Sequence, residues 1–233
     1  MSKKSDKKLN IAIVLGPKCV NATGLIRSLG EAGFYVIFAS TYSKIESKYL
    51  SKYFKLPEDK DLQIEYLFDF ILTLPSKPSI FTVDDDYNFL LDENYERLSK
   101  IAYIPHAKGN LKTLSDKSVM GDLAKDCGLN VPISQKVDLN SDQLKINPPL
   151  ILKPYAGYAG SKGDIKVCKT DSDVNLAVKE LKSEGYTSLL AQELIDDENK
   201  FEIGLMGMSL PNGEVVIPAT IRKIRSYPID RGS

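Results

Sequence analysis

Residues 149–168 read PLILKPYAGYAGSKGDIKVC: an apolar run closing on Lys153 and Pro154, a loop carrying Gly157, Gly160 and Gly163, then an alternating strand-like stretch. A lysine that ends a buried strand has its stem packed and its ammonium confined. Glycines beside it let backbone N–H groups approach anionic oxygens, so the combination suits a phosphate. With Tyr155, Tyr158, Ser161 and Lys162 the loop is too long and too rich in hydroxyls for a hairpin turn. The order G-x-x-x-x-G-K-[ST] is missing, so it is not a P-loop. Taken alone, the stretch has a bland alternative: a glycine-rich surface loop with a strand-end lysine.

Residues further along add to it. LLAQELID (189–196) reads as a strand that hands over through Gln192 and Glu193. FEIGLMG (201–207) reads as a buried strand carrying Glu202, and a charge there is costly unless paired or bound to a ligand. Upstream, Lys117 opens a helix within SDK. Each has a structural alternative: Lys117 as a solvated first-turn lysine, and Glu202 as a paired carboxylate.

Toward the amino terminus the texture is that of alternating strands and helices. NIAIVL (10–15) is a short continuous apolar run, as in a strand buried on both faces. NATGLIRSLGEAGF follows with Leu25, Ile26, Leu29 and Ala32 at helical spacing and Gly33 as a stop. YVIFAS and SIFTV are two more strands, DLQIEYLFDFILTL is a helix, and DDDYNFLLDENYERLSKI another with an acidic first turn. This order predicts parallel βαβ units. Gly16 and Gly24 do not have dinucleotide-fingerprint spacing, which leaves a turn and close helix packing as their roles. Asp84, Asp85 and Asp86 at a strand-to-helix junction could hold a metal, with a helix cap the more ordinary reading. Beyond Pro105 and Gly109 the pattern changes: a helix in DKSVMGDLAKDCGLNVP capped by Ser115 or Asp116, strands LILKP and DIKVCK, a capped helix DSDVNLAVKELKSEG, then a meander turning at Asn212–Gly213.

The 31 basic and 31 acidic side chains cancel, which removes the electrostatic argument for nucleic acid. Cys19, Cys127 and Cys168 lie too far apart for metal-ligand spacing and read as reduced thiols of a cytoplasmic protein. The only early apolar run is far shorter than a membrane span, and MSKKSDKK reads as a solvated tail.

In order and spacing these motifs resemble the ATP-grasp superfamily, and within it carboxylate–amine and carboxylate–thiol ligases close to carbamoyl-phosphate-synthase large-chain domains. GLIRSLGEAGFYVIFAS, SKYLSKYFKLPED and FTVDDDYNFLLDENYERL are similar to the α/β domain that precedes the grasp domain. SDKSVMGDLAKDCGLNVP, PLILKPYAGYAGSKGDIKV and LAQELID are similar to the start of the grasp domain, its lysine strand with phosphate loop, and its adenine hinge. The resemblance implies a Rossmann-like parallel α/β domain at 1–107, then an α+β ATP-grasp domain at 108–233 that is incomplete at its carboxyl end. The latter divides into a small lid subdomain (135–192) and the start of a larger one (193–233).

It further implies that Lys117 and Lys153 contact ATP phosphates and that the backbone of Tyr158, Ala159, Gly160, Ser161 and Gly163 covers them. Gln192, Glu193, Leu194 and Ile195 form the adenine hinge, and either Lys200 or Glu202 faces the ribose. Lys153 and Arg225 are the implied catalytic residues, Arg225 through its likeness, with Arg222 and Lys223, to the family's phosphate- and acceptor-facing basic residues. The implied cofactors are ATP and Mg²⁺, with the metal's ligands expected beyond residue 233, so that the chain is read as a fragment of a longer ligase rather than a natural truncation. The partners implied are a small carboxylate and an amine, with neither nucleic acid nor membrane, and a homodimer is left open. Two rival readings stand beside this one: a nucleotide- or partner-binding module without catalysis, and a dinucleotide-dependent enzyme.

Overall fold

The computed structural model describes residues 9–105, 109, 111–141, 143–154, 164–195, 202–210 and 212–225. The chain divides into two compact units, Met1–Thr113 and Leu114–Ser233.

The first unit is built on β1 (Ile11–Leu15), β2 (Tyr35–Ser40), β3 (Lys52–Lys55) and β4 (Ser79–Thr82). They form one sheet in the order β3-β2-β1-β4, and all pairings are parallel. Because side chains alternate across a strand, Ile11, Ile13 and Leu15 face one layer and Ala12 and Val14 the other. The first set packs with Ile64, Leu67, Phe70 and Ile71 of α2 (Lys60–Leu72) and Leu91 of α3 (Asp85–Glu93). The second packs with Ala22, Ile26 and Leu29 of α1 (Val20–Glu31). Double coverage explains why the strands read as unbroken apolar runs. α1 stops as expected: the N–H groups of Gly33 and Phe34 donate to Gly30 and Leu29, and Gly33 takes φ +83°.

Two features depart from the periodicity. The helix expected over 84–101 is two, α3 and α4 (Tyr95–Leu98), parted at Asn94, whose φ of −106° and ψ of 16° are not helical. Its side-chain amide donates to the Leu90 carbonyl, which supports the break. The strand β3, KYFK, escaped the apolar pattern because it lies at the sheet edge with its terminal lysines exposed.

The second unit contains α6 (Lys117–Asp126), preceded by the short α5 (Leu111–Ser115), which straddles the division between units. A four-stranded sheet follows, from β5 (Ser134–Asp138), β6 (Leu150–Lys153), β7 (Lys166–Cys168) and β8 (Ser188–Glu193), in the order β5-β8-β6-β7 with every pairing antiparallel. The helix α7 (Asp171–Ser183) joins β7 to β8 and begins with a complete capping box, Thr170 and Asp173 bonding each other's backbone. β9 (Ile203–Ser209) and β10 (Val215–Arg222) form a separate antiparallel pair turning at Asn212 and Gly213. Among the described residues no helix is long and apolar enough to cross a membrane.

Candidate functional site

In antiparallel strands, residues directly opposite share a face. The register of the second unit's sheet puts Val137, Leu150, Leu152, Cys168, Leu189 and Ala191 on one face, where they pack against Val174, Ala177 and Leu181 of α7. Burial there raises the Cys168 thiol above its ordinary pKa. The opposite face carries Ser134 and Lys136 from β5, Leu190 and Gln192 from β8, Ile151 and Lys153 from β6, and Val167 from β7. One layer of the sheet is thus apolar and helix-covered. The other is an apolar floor set with two lysines, an amide and a hydroxyl.

Lys153 is half-buried at the end of β6. Its ammonium donates to Gln192 Oε1 at 2.7 Å, the Gln192 amide donates to Ser134 Oγ at 2.8 Å, and that hydroxyl donates to the Pro132 carbonyl at 3.0 Å. The confined strand-end lysine expected from the sequence is therefore present, and its ammonium meets a neutral acceptor. Just past the glycine loop, Asp164 accepts from the Tyr186 hydroxyl at 2.7 Å, which pushes the Tyr186 pKa up to about 12. Lys166 pairs with Glu180 of α7. The chain is therefore tied down on both sides of the segment expected to cover phosphates. Tyr158, Ala159, Gly160, Ser161 and Gly163 themselves lie outside the described residues, as does Lys200.

The remaining expected residues fall as follows. Lys117 is the first residue of α6. The Glu193 N–H donates to Ile133 and that of Leu194 to Pro149, at 2.9 and 3.0 Å, so both amides are engaged within the protein. Ile195 follows with its side chain exposed. Glu202 is not on a buried strand: it precedes β9, its side chain is largely exposed, and it pairs with Lys223. The geometry there is that of a paired carboxylate. Arg225 is exposed past the end of β10.

The first unit has a site feature of its own. A parallel sheet places its ligand crevice beyond the carboxyl ends of its strands, where the strand order reverses. Here β1 is flanked by β2 and β4, and a crevice of about 640 Å³ opens beyond them, lined among others by Pro17, Thr41, Gln63, Asp84 and Tyr87. Asp84 caps α3, accepting from the Tyr87 N–H at 3.0 Å, and Asp86 pairs with Lys60 at 3.0 Å. The three aspartates are therefore a cap with its neighbours, and no group of three or more metal-binding side chains occurs among the described residues. Partial burial raises the Asp84 pKa. Gly16 takes φ +144°, and a Cβ there would lie 2.5 Å from Val83 Cγ2, so the turn into the crevice requires glycine. Gly24 meets open space and is not a helix-packing residue. Sequence reading missed this crevice, Lys136 and the Ser134 link, because register and strand order, not local pattern, bring their residues together.

No family model matches the sequence, and no curated protein matches it. Solved structures do match. An L-amino acid ligase from Bacillus licheniformis superposes with a TM-score of 0.69 at 16% identity, covering 94% of this chain and 51% of that one. N5-carboxyaminoimidazole ribonucleotide synthetase from Thermotoga maritima gives 0.64 at 19% identity, covering 93% and 54%. D-alanine–D-alanine ligase from Bacillus anthracis gives 0.55 at 14% identity, covering 93% and 71%. The chain spans about half the length of the first two.

Proposed function

This chain has the ATP-grasp fold, and we propose that it is the nucleotide-binding part of an ATP-dependent ligase that joins a carboxylate to an amine. One observation carries the reading: Lys153 is a confined cation on the face of the β5–β8 sheet opposite α7, held at 2.7 Å by Gln192 where β8 leads out toward Leu194 and Ile195. A fixed cation beside a glycine loop is suited to a polyphosphate, and the exit of β8 is where a base would lie.

In this reading Lys153 and Lys117 hold the phosphates, with the backbone of 158–163 closing over them. The 192–195 segment borders the base, and Lys200 or Glu202 faces the ribose, although the pairing of Glu202 with Lys223 already satisfies that carboxylate. The γ-phosphoryl passes from ATP to a substrate carboxylate, and ADP leaves. The amine then displaces phosphate from the acyl phosphate, losing a proton and forming the amide. Arg225 is proposed to face the transferred group. The contribution of Lys153 is positional and electrostatic, with no covalent intermediate on the protein. Magnesium, if bound, would supply neutralising positive charge to the phosphates. The described carboxylates do not compose a cage for it.

The test is titration calorimetry with ATP, ADP and NAD(H), run beside an ADP-release assay over a panel of carboxylates and amines. Preference for NAD(H) overturns the reading in favour of a dinucleotide enzyme. Residues 1–233 by themselves are expected to bind ATP without substrate-dependent ADP release, and only the same result in a chain extended past residue 233 reduces the reading to a nucleotide-binding module.

A further inference from the structure

The buried face of α2 is apolar except at one position. Gln63 is 5% exposed and stands on the same stripe as Leu67 and Phe70, one and two turns further on. An amide among apolar side chains is costly unless its polar atoms are answered. Here the nitrogen is answered and the oxygen is not. The Gln63 amide donates to the Pro57 carbonyl at 3.1 Å, which ties α2 to the connection from β3. That carbonyl can only accept, so the amide cannot be turned round to bring its oxygen there. Among the described residues no donor reaches Gln63 Oε1. Gln63 lines the crevice beyond the carboxyl ends of the parallel strands, so the unanswered acceptor borders open volume rather than packed core.

A water molecule would suffice for that oxygen alone. The charges around it call for more. Of the acids lining the crevice, Glu58 is paired with Lys55 and Asp86 with Lys60, so these cancel. Asp84 is half-buried in the same lining and makes no ion pair with any described residue. The Tyr87 N–H occupies its Oδ1, which leaves Oδ2 without a donor among the described residues. Burial already disfavours the charged form of this carboxyl and raises its pKa. A neutral ligand would leave that penalty in place, and an anion would add to it. A metal ion is poorly served, because no three metal-binding side chains come together among the described residues.

We propose that this crevice binds a small organic molecule through a primary ammonium group, with Gln63 Oε1 and the Asp84 carboxylate as its acceptors. An ammonium carries several donors and a positive charge, so one group serves both the amide oxygen and the carboxylate. The rings of Tyr42, Tyr87 and Phe89 in the lining suit the apolar body of such a molecule and favour a cation nearby. Every residue invoked belongs to the first unit. The proposal therefore rests neither on Lys153 nor on nucleotide binding.

The probes are 2-phenylethylammonium, 2-phenylethanol and 3-phenylpropionate, which share an aromatic body and differ in the charge of the head group. Each is titrated into the full chain, with calorimetry for affinity and ¹H–¹⁵N spectra for place. The side-chain amide signal of Gln63 is identified by its loss in Gln63→Leu. The ammonium is expected to shift that signal and to bind about tenfold more tightly than the alcohol, as for a charge-assisted contact, with no binding of the propionate. Asp84→Asn, which can keep the cap of α3, is expected to weaken the ammonium about tenfold and to leave the alcohol unchanged. Gln63→Leu is expected to weaken the ammonium about fivefold. Equal affinity for ammonium and alcohol overturns the proposal, since charge would then play no part. Ammonium binding that neither shifts Gln63 nor responds to Asp84→Asn overturns it too, because the probe then sits elsewhere. Potassium chloride that reproduces the Gln63 shift would make this a site for a bare cation, and failure of all three probes to bind would leave no site; both overturn it. Gln63→Leu also gives up the bond to Pro57, so its melting temperature is read beside its affinity. If that variant does not fold, Asp84→Asn and the probe comparison on the unaltered chain decide the matter.

Discussion

The parallel sheet of the first unit and the β9–β10 pair of the second are written in the same letters and meet opposite surroundings. Ile13, Ile37 and Ile80 are wholly buried, with helices on both faces of their sheet. Ile203, Leu205 and Ile221 keep 68%, 64% and 53% of their surface, and neither face of their hairpin contributes to the buried core. The sheet of β5 to β8 lies between these extremes, one face covered by α7 and the other bearing Lys153. Apolar content therefore does not tell which strand faces carry stability. Cover does, and a face without cover is available for something else.

The sharpest way to break this comparison is a pair of truncations. Ile37→Ala removes a side chain packed on all sides and is expected to cost about 2–5 kcal/mol. Ile221→Ala in the hairpin is expected to stay within about 0.5 kcal/mol, as for an exposed position. Urea denaturation followed by tyrosine fluorescence and circular dichroism measures both, and comparable losses would show that the hairpin is covered in solution.

A second pair uses neighbours on opposite faces of one strand. Lys153→Ala is expected to lower ATP affinity roughly tenfold with little change in stability. Leu152→Ala, whose side chain is packed under α7, is expected to lower stability by about 2–4 kcal/mol. Calorimetry and thermal melts on the two variants separate binding from folding. A Lys162→Ala control, its charge in the glycine loop, is expected to weaken ATP less than Lys153→Ala.

The covering helix offers a smaller effect. Thr170→Ala removes the cap of α7 and is expected to cost about 1 kcal/mol at neutral pH. Hydrogen bonds from the Thr170 side chain and from the backbone of Thr170 and Lys169 hold the Asp173 carboxyl below its ordinary pKa. With the folded pKa depressed, that contribution is present above the unfolded value near 3.9 and is lost as pH falls through the folded one. The deficit of Thr170→Ala is therefore expected to shrink in acid, and a deficit that grows in acid would contradict the cap.

Asp84 supplies the smallest effect and the opposite sign. Its pKa is raised by burial in the crevice of the first unit. The folded state then holds the proton more tightly, so this group adds stability as pH falls through its folded pKa and levels off below the unfolded one. Asp84→Asn, which can keep the cap, is expected to flatten that rise in melts between pH 3 and 6.

Much of this architecture was legible as pattern. NIAIVL, YVIFAS and SIFTV announced strands covered on both sides, because only double coverage permits unbroken apolar runs. Lys153 was legible for a related reason, a single charge closing an apolar strand. What escaped depended on pairing. SQKVD has no apolar signature because β5 is an edge strand with a mostly exposed surface, and its membership shows only in its register with β8. The link from Lys153 to Ser134 passes through Gln192 across strands 58 residues apart in sequence. Glu202 looked buried because FEIGLMG is apolar, yet the hairpin that follows it is uncovered.

One detail of that hairpin bears on the company the chain keeps at high concentration. The pairing shifts between Val216 and Ala219, so Ile217 and Pro218 stand opposite the single residue Gly207. An extended segment docking along β10 would meet a one-residue slip in register, and at Pro218 a backbone position without a donor. Open-edged apolar strands ordinarily invite stacking into ordered aggregates. This kink works against the template before a second molecule can read it, and the hairpin can stay apolar without becoming a seed.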